Sequence, residues 1–277
     1  MRFALLGGDD RFVHLCALLR ADGHAVRPFA LERALPDCAG TAEAALADAD
    51  CVLLPLPCEK GGVLNAPLSA GTFAPAEVLR HAAPGVPVLA GKPGRATADA
   101  CLAYDLALTD YGAREDFALR NADLTAEGAL ALLLDGPKSL RDSRFLVAGY
   151  GRIGRLLAAK LTALGASVTV AARSAAARAA AELAGCASVS VEAAPRDGWD
   201  AVMNTIPEVV FDGAAIGRFG GARLIELASP PYGFDSGAAN AQGKPILLAS
   251  GLPGKTAPQS AAAAVQKTIY AILEERT

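Results

Sequence analysis

The feature that most constrains this chain is the pattern Gly-x-Gly-x-x-Gly, formed by Gly149, Gly151 and Gly154. It follows an apolar run at 144–148 that is typical of a buried strand, and it leads into an amphipathic helix that ends at Gly165. The first glycine permits a tight turn, the second lets a pyrophosphate approach the backbone, and the third permits close packing of helix on strand. The pattern therefore predicts a Rossmann-type dinucleotide site. The less favoured alternatives are a glycine turn without a ligand and a different ligand such as S-adenosylmethionine.

The end of the next predicted strand, 167–172, indicates which dinucleotide is bound. An NAD-specific site usually carries an acidic residue there, whereas this chain has Arg173 and Ser174. A guanidinium can form charge-assisted hydrogen bonds with a 2′-phosphate, and the serine can add a hydroxyl. The sequence therefore favours NADP over NAD, although an arginine that only caps the strand in solvent is the alternative.

Two later strand ends complete the predicted cofactor site. Asn204 and Thr205 end one strand where a doubly wound sheet holds the nicotinamide ribose, and Ser229 follows the next strand. Both segments could also be turns selected only for their backbone geometry. The predicted cofactor-binding residues are Gly149, Tyr150, Gly151, Arg152, Ile153, Gly154, Arg173, Ser174, Asn204, Thr205, Ile206, Pro207 and Ser229.

The hydrophobic pattern predicts an α/β fold with two domains. Short apolar runs alternate with helical patterns in both halves of the chain, as in successive βαβ units. We expect a flavodoxin-like N-terminal domain for substrate or partner interaction over 1–121, to which a C-terminal helix at 258–277 returns. A linking helix and the Rossmann domain are expected over 122–257. Thr125 is the predicted N-cap of that linking helix, which should end at Leu134.

Composition excludes several other classes of protein. The 26 Lys and Arg against 29 Asp and Glu give a formal net charge of −3, which argues against binding to nucleic acid. No apolar run approaches the about 18 residues of a membrane helix, and the N-terminus does not have a signal-peptide pattern. The six cysteines form no Cys-x-x-Cys pair and no metal site is predicted. We expect a cytoplasmic protein.

Several segments together resemble one enzyme family. They are Gly7-Gly8-Asp9-Asp10-Arg11, Leu54-Pro55-Leu56-Pro57, Asp110-Tyr111-Gly112-Ala113-Arg114-Glu115-Asp116-Phe117-Ala118, Asn121-Ala122, Thr125-Ala126-Glu127-Gly128-Ala129, the glycine turn, Asn204-Thr205-Ile206-Pro207 and Gly251-Leu252-Pro253-Gly254-Lys255-Thr256-Ala257-Pro258. With these segments the chain resembles the family of dipicolinate synthase A subunits, the dehydrogenase subunits found in spore-forming bacteria. The Arg-Glu-Asp-Phe and Gly-Leu-Pro-Gly-Lys segments are the specific ones, since unrelated enzymes share the glycine turn.

The resemblance implies a reaction and a partner. The expected reaction is NADP-dependent oxidation of dihydrodipicolinate, an intermediate of the lysine pathway, to pyridine-2,6-dicarboxylate for sporulation. The expected partner is the second, flavoprotein-like subunit of dipicolinate synthase, and a homo-oligomer is expected. Loss of a hydride and a proton from the ring gives an aromatic product, so the reaction is chemically coherent.

A substrate with two carboxylates requires fixed cations and a proton acceptor. The candidate substrate-binding residues are Arg11, Arg114, Asn121 and Lys255, and the candidate catalytic residues are Asp116, Glu115 and Lys255. The alternative is that these charges form ordinary salt bridges, and that Glu115 and Asp116 pair with Arg114 or Arg120.

Two other functions remain open at this stage. One is a catalytically silent protein that binds NADP for a partner, because no histidine or lysine stands out as a general base. The other is a different small-acid dehydrogenase of the shikimate type, because Asn-Thr-x-Pro also suits that group. In the leading hypothesis the active site lies in the cleft between the two domains.

Overall fold

The computed structural model describes residues 1–276. The chain divides into two compact units: unit 1 contains Met1–Asn121 and the segment from Ala257, and unit 2 contains Ala122–Thr256. The strands are β1 (Arg2–Leu6), β2 (Ala25–Phe29), β3 (Cys51–Leu53), β4 (Glu59–Lys60), β5 (Val63–Leu64), β6 (Pro87–Ala90), β7 (Ala107–Asp110), β8 (Arg144–Ala148), β9 (Ser167–Ala171), β10 (Ala187–Val189), β11 (Ala201–Asn204), β12 (Arg223–Glu226) and β13 (Ile246–Leu248).

Helices connect most of these strands, and a short 3-10 turn covers Tyr111–Ala113. The α-helices are α1 (Asp10–Ala21), α2 (Ala42–Leu46), α3 (Pro75–Leu79), α4 (Arg95–Ala103), α5 (Glu115–Leu134), α6 (Arg152–Ala163), α7 (Ala175–Leu183), α8 (Gly213–Arg218), α9 (Ser236–Ala241), α10 (Leu252–Thr256) and α11 (Pro258–Glu274). No helix within residues 1–276 combines the length and the apolar character needed to cross a membrane.

Unit 1 is built on a parallel sheet with the strand order β2-β1-β3-β6-β7. Counted along the chain this order is 2-1-3-4-5, as in flavodoxin-like folds. One face of the sheet packs on α1 and α11 through Phe3, Leu15 and Ile269, and the other packs on α3 and α4 through Val78 and Ala100. The predicted flavodoxin-like fold is confirmed, and so is the return of the last helix to this unit.

Unit 2 contains a parallel sheet with the order β10-β9-β8-β11-β12-β13. Counted along the unit this is 3-2-1-4-5-6, the Rossmann order. The central strand β8 is buried at Phe145 to Ala148, because its apolar side chains meet helices on both faces. The predicted Rossmann fold is confirmed. Its order reverses between β8 and β11, and ligands bind outside the carboxyl ends of the strands at such a reversal.

One local prediction was wrong, and one strand of the Rossmann sheet was not predicted. The linking helix begins at Glu115 rather than after Thr125, which lies inside a continuous twenty-residue helix. Glu115 and Asp116 favour its first turn because negative charge stabilises a helix N-terminus, so no cap at Thr125 is needed. Strand β10 was missed, since only three residues of mixed polarity form it and their pairing with β9 is not visible in the local pattern.

Candidate dinucleotide site and candidate substrate residues

Two glycines of the turn after β8 are required by the packing of the protein itself. Gly149 has a φ of +96°, and a Cβ atom there would lie 2.3 Å from Thr205 Oγ1. A Cβ atom on Gly154 would lie 2.2 Å from the carbonyl oxygen of Gly149. The Gly149 amide also donates to Ala171 O at 2.8 Å, which joins the turn to β9. Close approach of α6 to the end of β8 therefore depends on both glycines.

Gly151 is different, because no contact within residues 1–276 requires a glycine there. Its φ is −82°, and a Cβ atom at this position would meet no atom within 4 Å. Gly151 is exposed and is the N-cap of the twelve-residue helix α6. The missing side chain leaves open the helix N-terminus, where free amides and the helix dipole favour phosphate. The residues present thus fit a bound dinucleotide.

The side chains in and next to the turn contact α7, the turn backbone and the core of unit 2. Tyr150 is half-buried, its pKa is raised by burial, and its hydroxyl lies 3.5 Å from Ala180 O. Arg155 donates through Nε to Tyr150 O at 2.9 Å and lies over the tyrosine ring. Ile153 packs against the apolar core, while Arg152 is exposed. The turn therefore presents its backbone, rather than the Tyr150 side chain, at the helix N-terminus.

At the end of β9 the structure places Arg173 in solvent and Ser174 at the start of α7. Ser174 Oγ accepts a hydrogen bond from Ala177 N at 3.1 Å and so caps that helix. Arg173 Nη1 donates to Glu208 Oε2 at 2.8 Å. Glu208 was not predicted as part of the site, since a bond across 35 residues leaves no local sequence signal. The predicted contact of Arg173 and Ser174 with a 2′-phosphate stays a prediction.

Asn204 and Thr205 shape the neighbouring loop after β11. Asn204 is fully buried, and its Nδ2 donates to Ile206 O at 2.8 Å and to Glu226 Oε1 at 2.7 Å. Its Oδ1 accepts from Ile206 N at 3.1 Å. Thr205 Oγ1 donates to Ala148 O at 2.8 Å. These bonds occupy the side chain of Asn204, so the structure favours a positioning role for it over direct contact with a cofactor. Pro207, later in the same loop, is exposed.

Glu226, at the end of β12, was missed by the sequence analysis. It is 1% exposed and accepts hydrogen bonds from Asn204 Nδ2, Ala228 N at 3.0 Å and Gly233 N at 2.8 Å. The signal for it was an acid inside the apolar run 224–227, since buried carboxylates are retained only where they are paired. Glu226 holds the loop that presents the exposed Ser229.

Unit 1 has its own strand-order reversal, between β1 and β3, and Arg11 lies there. Arg11 is 7% exposed. Its Nε and Nη2 donate to Asp9 at 2.8 and 2.7 Å, and Nη2 also donates to Leu56 O at 2.5 Å. Among residues 1–276 its Nη1 has no hydrogen-bond partner. The predicted cation at this position is thus an anchored, buried guanidinium with one nitrogen free for a ligand.

The Asp9–Arg11 pair predicts how unit 1 responds to acid. Burial opposes the charged form of Asp9, but the hydrogen bonds and charge of Arg11 outweigh it and lower the pKa of Asp9. The folded protein then binds fewer protons than the unfolded chain, so this carboxylate stabilises the fold above its unfolded pKa of about 3.9. That contribution is lost as the pH falls through the lowered pKa. We expect the free energy of unfolding to decline below about pH 4.

Urea unfolding followed by circular dichroism at several pH values tests this expectation. Asp9→Asn should cost about 1.5 kcal/mol at pH 7 and flatten the dependence on pH below 4. Asp10→Asn, an exposed neighbour in the same helical turn, is the matched control and should keep the slope. An unchanged slope in Asp9→Asn would contradict the assignment.

Arg114 and Asp116 form a second ion-pair group in unit 1. Arg114 donates to both carboxylate oxygens of Glu275, at 2.7 and 2.8 Å, and through Nε to Asp116 at 3.1 Å. Hydrogen bonding to Glu275 and Asp116 raises the pKa of Arg114. Burial raises the pKa of Asp116, but its bonds with Arg114 and Thr268 outweigh this and lower it. These bonds connect the end of α11 to the start of α5. They agree with the alternative interpretation, in which these charges form salt bridges.

The remaining candidate residues lie on α5 and α10. Glu115 is exposed in the first turn of α5, and Asn121 is half-buried on the same helix. Lys255 is exposed on α10 in unit 2, and its ammonium has no ion-pair partner among residues 1–276. No cluster of His, Cys, Asp and Glu in that part of the chain is arranged to hold a metal ion. The roles predicted for these residues stay predictions.

Comparison with known proteins relates most of unit 1 to one family. The family model for the N-terminal domain of the dipicolinate synthase A subunit matches residues 2–112. Residues 2–112 are therefore similar to the N-terminal domain of this family. The dipicolinate synthase A subunit of Bacillus subtilis (strain 168) is 33% identical over 166 residues, which are 58% of this chain and 56% of that protein. The aligned region spans about half the length of this relative, and the resemblance seen in the sequence is confirmed.

Solved structures extend the similarity of fold to the whole chain. The dipicolinate synthase A subunit from Bacillus halodurans has a TM-score of 0.87 at 24% identity, with 98% of this chain and 97% of that chain covered. A transhydrogenase from Sinorhizobium meliloti has a TM-score of 0.67 at 18% identity, with 95% and 88% covered. The fold of this chain is thus shared with a dipicolinate synthase A subunit and with a transhydrogenase.

Proposed function

We propose that this chain is an NADP-dependent oxidoreductase that acts as the dehydrogenase subunit of a dipicolinate synthase. Its reaction would be the oxidation of dihydrodipicolinate to pyridine-2,6-dicarboxylate. The observation that carries the proposal is the open helix N-terminus at Gly151, in a chain whose residues 2–112 match the family model for the N-terminal domain. Unit 2 is then the dinucleotide-binding domain, and unit 1 is the substrate or partner domain.

NADP, when bound, would accept a hydride from the substrate ring. The amides of Arg152 and Ile153, in the first turn of α6, would hold the pyrophosphate. Thr205 keeps the turn in place through Ala148 O, and Glu226 keeps the next loop in place through Gly233 N. These groups orient the coenzyme without being consumed in the reaction.

The preference for NADP rests on the end of β9. No acidic residue follows this strand, and Arg173 is exposed at the place where a 2′-phosphate would lie. A guanidinium binds phosphate through two parallel charge-assisted hydrogen bonds, which a ribose hydroxyl cannot reproduce. Ser174 Oγ already accepts a bond from Ala177 N but can still donate its proton.

Recognition of a dicarboxylate is assigned first to Arg11. Its guanidinium is anchored by Asp9 and Leu56 O, and its Nη1 has no partner within residues 1–276. Arg114, in contrast, already uses three nitrogens on Glu275 and Asp116. Lys255 offers an exposed ammonium on unit 2. We therefore rank Arg11 and Lys255 above Arg114 as carboxylate ligands, with Asn121 as a further polar candidate.

Asp116 and Glu115 are the candidate proton acceptors. Asp116 has a lowered pKa and shares Arg114 with Glu275, so it is a poor general base at neutral pH. Glu115 is the other acidic candidate. This observation favours a second function, in which the chain binds NADP but the flavoprotein-like partner carries out the proton and hydride transfers.

An ultraviolet assay for pyridine-2,6-dicarboxylate tests the proposal. Dihydrodipicolinate is generated in place, and the chain is tested alone and with the flavoprotein-like partner, with NADP+ and with NAD+. We expect product with NADP+ from the chain alone, at a higher rate than with NAD+. Product that requires the partner would support the second function. Tight NADP binding without product in either mixture would reject dipicolinate synthesis.

A further inference from the structure

An ion pair connects the two strands on either side of β8 in unit 2. Arg173 lies two residues beyond the end of β9, and Glu208 lies four residues beyond the end of β11. Arg173 Nη1 and Glu208 Oε2 are 2.8 Å apart. Since the sheet order is β9-β8-β11, the pair crosses the carboxyl end of β8, where the glycine turn lies. The two side chains thus meet at the edge that would receive the dinucleotide.

Nothing else in unit 2 explains the position of Glu208. Within residues 1–276, Arg173 is its only hydrogen-bond or ion-pair partner. The two side chains are 64% and 61% exposed, and ion pairs this exposed contribute little to stability. The backbone of Arg173 is held separately, because Arg178 Nη1 donates to its carbonyl oxygen at 2.9 Å. The pair is therefore not needed to build the loop or the end of β9.

We propose that Glu208 is the resident counter-ion of Arg173, which a coenzyme 2′-phosphate must displace, and that it thereby limits the preference for NADP over NAD. The inference rests on the proposed function, because it assumes that unit 2 binds these coenzymes. A carboxylate and a phosphate compete for the same guanidinium, and the displaced carboxylate then lies near a second anion. NAD has a hydroxyl in place of the phosphate and competes far less.

Fluorescence titration with NADPH and NADH measures this competition without any turnover. Glu208→Gln keeps the shape of the side chain and removes its charge. We expect NADPH to bind this variant about two- to fivefold more tightly, the range expected for loss of an exposed ion pair, with little change for NADH. Arg173→Ala should weaken NADPH binding about tenfold. In the Arg173→Ala background, Glu208→Gln should have no comparable effect.

A matched control separates the pair from a general effect of charge. Asp135→Asn removes one negative charge from an exposed residue of unit 2 between α5 and β8, at the amino edge of the sheet. This variant should bind NADPH as the unmodified chain does, and an equal gain in affinity would overturn the specific competition.

Other outcomes distinguish the inference from the proposed function. If the unmodified chain binds NADPH and Glu208→Gln does not change its affinity, the inference fails while the proposed function stands. If Glu208→Gln weakens NADH binding instead, Glu208 serves as an acceptor for ribose hydroxyls and the inference also fails. If the unmodified chain binds neither coenzyme, both proposals are rejected.

Discussion

Gly154→Ala should lower the free energy of unfolding of unit 2 by about 3 kcal/mol and abolish NADP binding. The new methyl group would lie 2.2 Å from the carbonyl oxygen of Gly149, and a backbone atom in a locked turn cannot move away as a flexible side chain can. The better helix propensity of alanine, about 1 kcal/mol, offsets only part of this cost. Urea unfolding followed through Trp199, the one tryptophan of the chain, reports on unit 2 directly.

Gly151→Ala is the matched control, because the same methyl group is added three residues earlier. It would meet no protein atom within 4 Å, so stability should change by less than about 1 kcal/mol. NADP binding should still weaken about tenfold, since the methyl group would occupy the space through which a pyrophosphate approaches the amides. Unchanged NADPH affinity in Gly151→Ala would contradict a dinucleotide at this turn, whatever the stability of Gly154→Ala.

The parts of the structure that the sequence predicted are those set by short-range patterns. The strand, turn and helix around Gly149 follow from three glycines and an apolar run within about twenty residues, where steric limits leave few alternatives. The two fold types also followed, because strands that alternate with helices are typical of βαβ units on a parallel sheet.

Long-range polar contacts account for most of what the sequence did not predict. Arg114 pairs with Glu275 across 161 residues, and Arg173 pairs with Glu208 across 35. Neither separation corresponds to a local sequence pattern. Arg114 was therefore predicted to bind substrate, and its ion pair with Glu275 was not predicted. The start of α5 was misplaced for a related reason. The charged segment before Thr125 was not predicted as helical, and the hydrogen bond of Asp116 with Thr268 of α11 is a long-range contact that no local pattern indicates.

Glu226→Ala should be the most destabilising change of a polar residue in unit 2. The carboxylate is 1% exposed and accepts from Asn204 Nδ2 and from the amides of Ala228, Gly233 and Phe234. Removal leaves these buried donors without an acceptor, and each unsatisfied donor costs about 1–3 kcal/mol. Partial entry of water into the cavity offsets part of this cost, so we expect a loss of about 4 kcal/mol and a melting temperature about 10 °C lower.

Glu226→Ala also tests how far the loops at the end of the sheet depend on one side chain. Asn204 would lose its partner on β12 and keep only the bonds to Ile206, so the loop that carries Thr205 should loosen against the glycine turn. We therefore expect NADPH affinity to fall as well, even at temperatures where the unit remains folded. Glu208→Ala removes an exposed acid from the same edge and should leave the Trp199 unfolding curve unchanged. Equal stability of the two variants would show that the buried network does not hold this edge of the sheet.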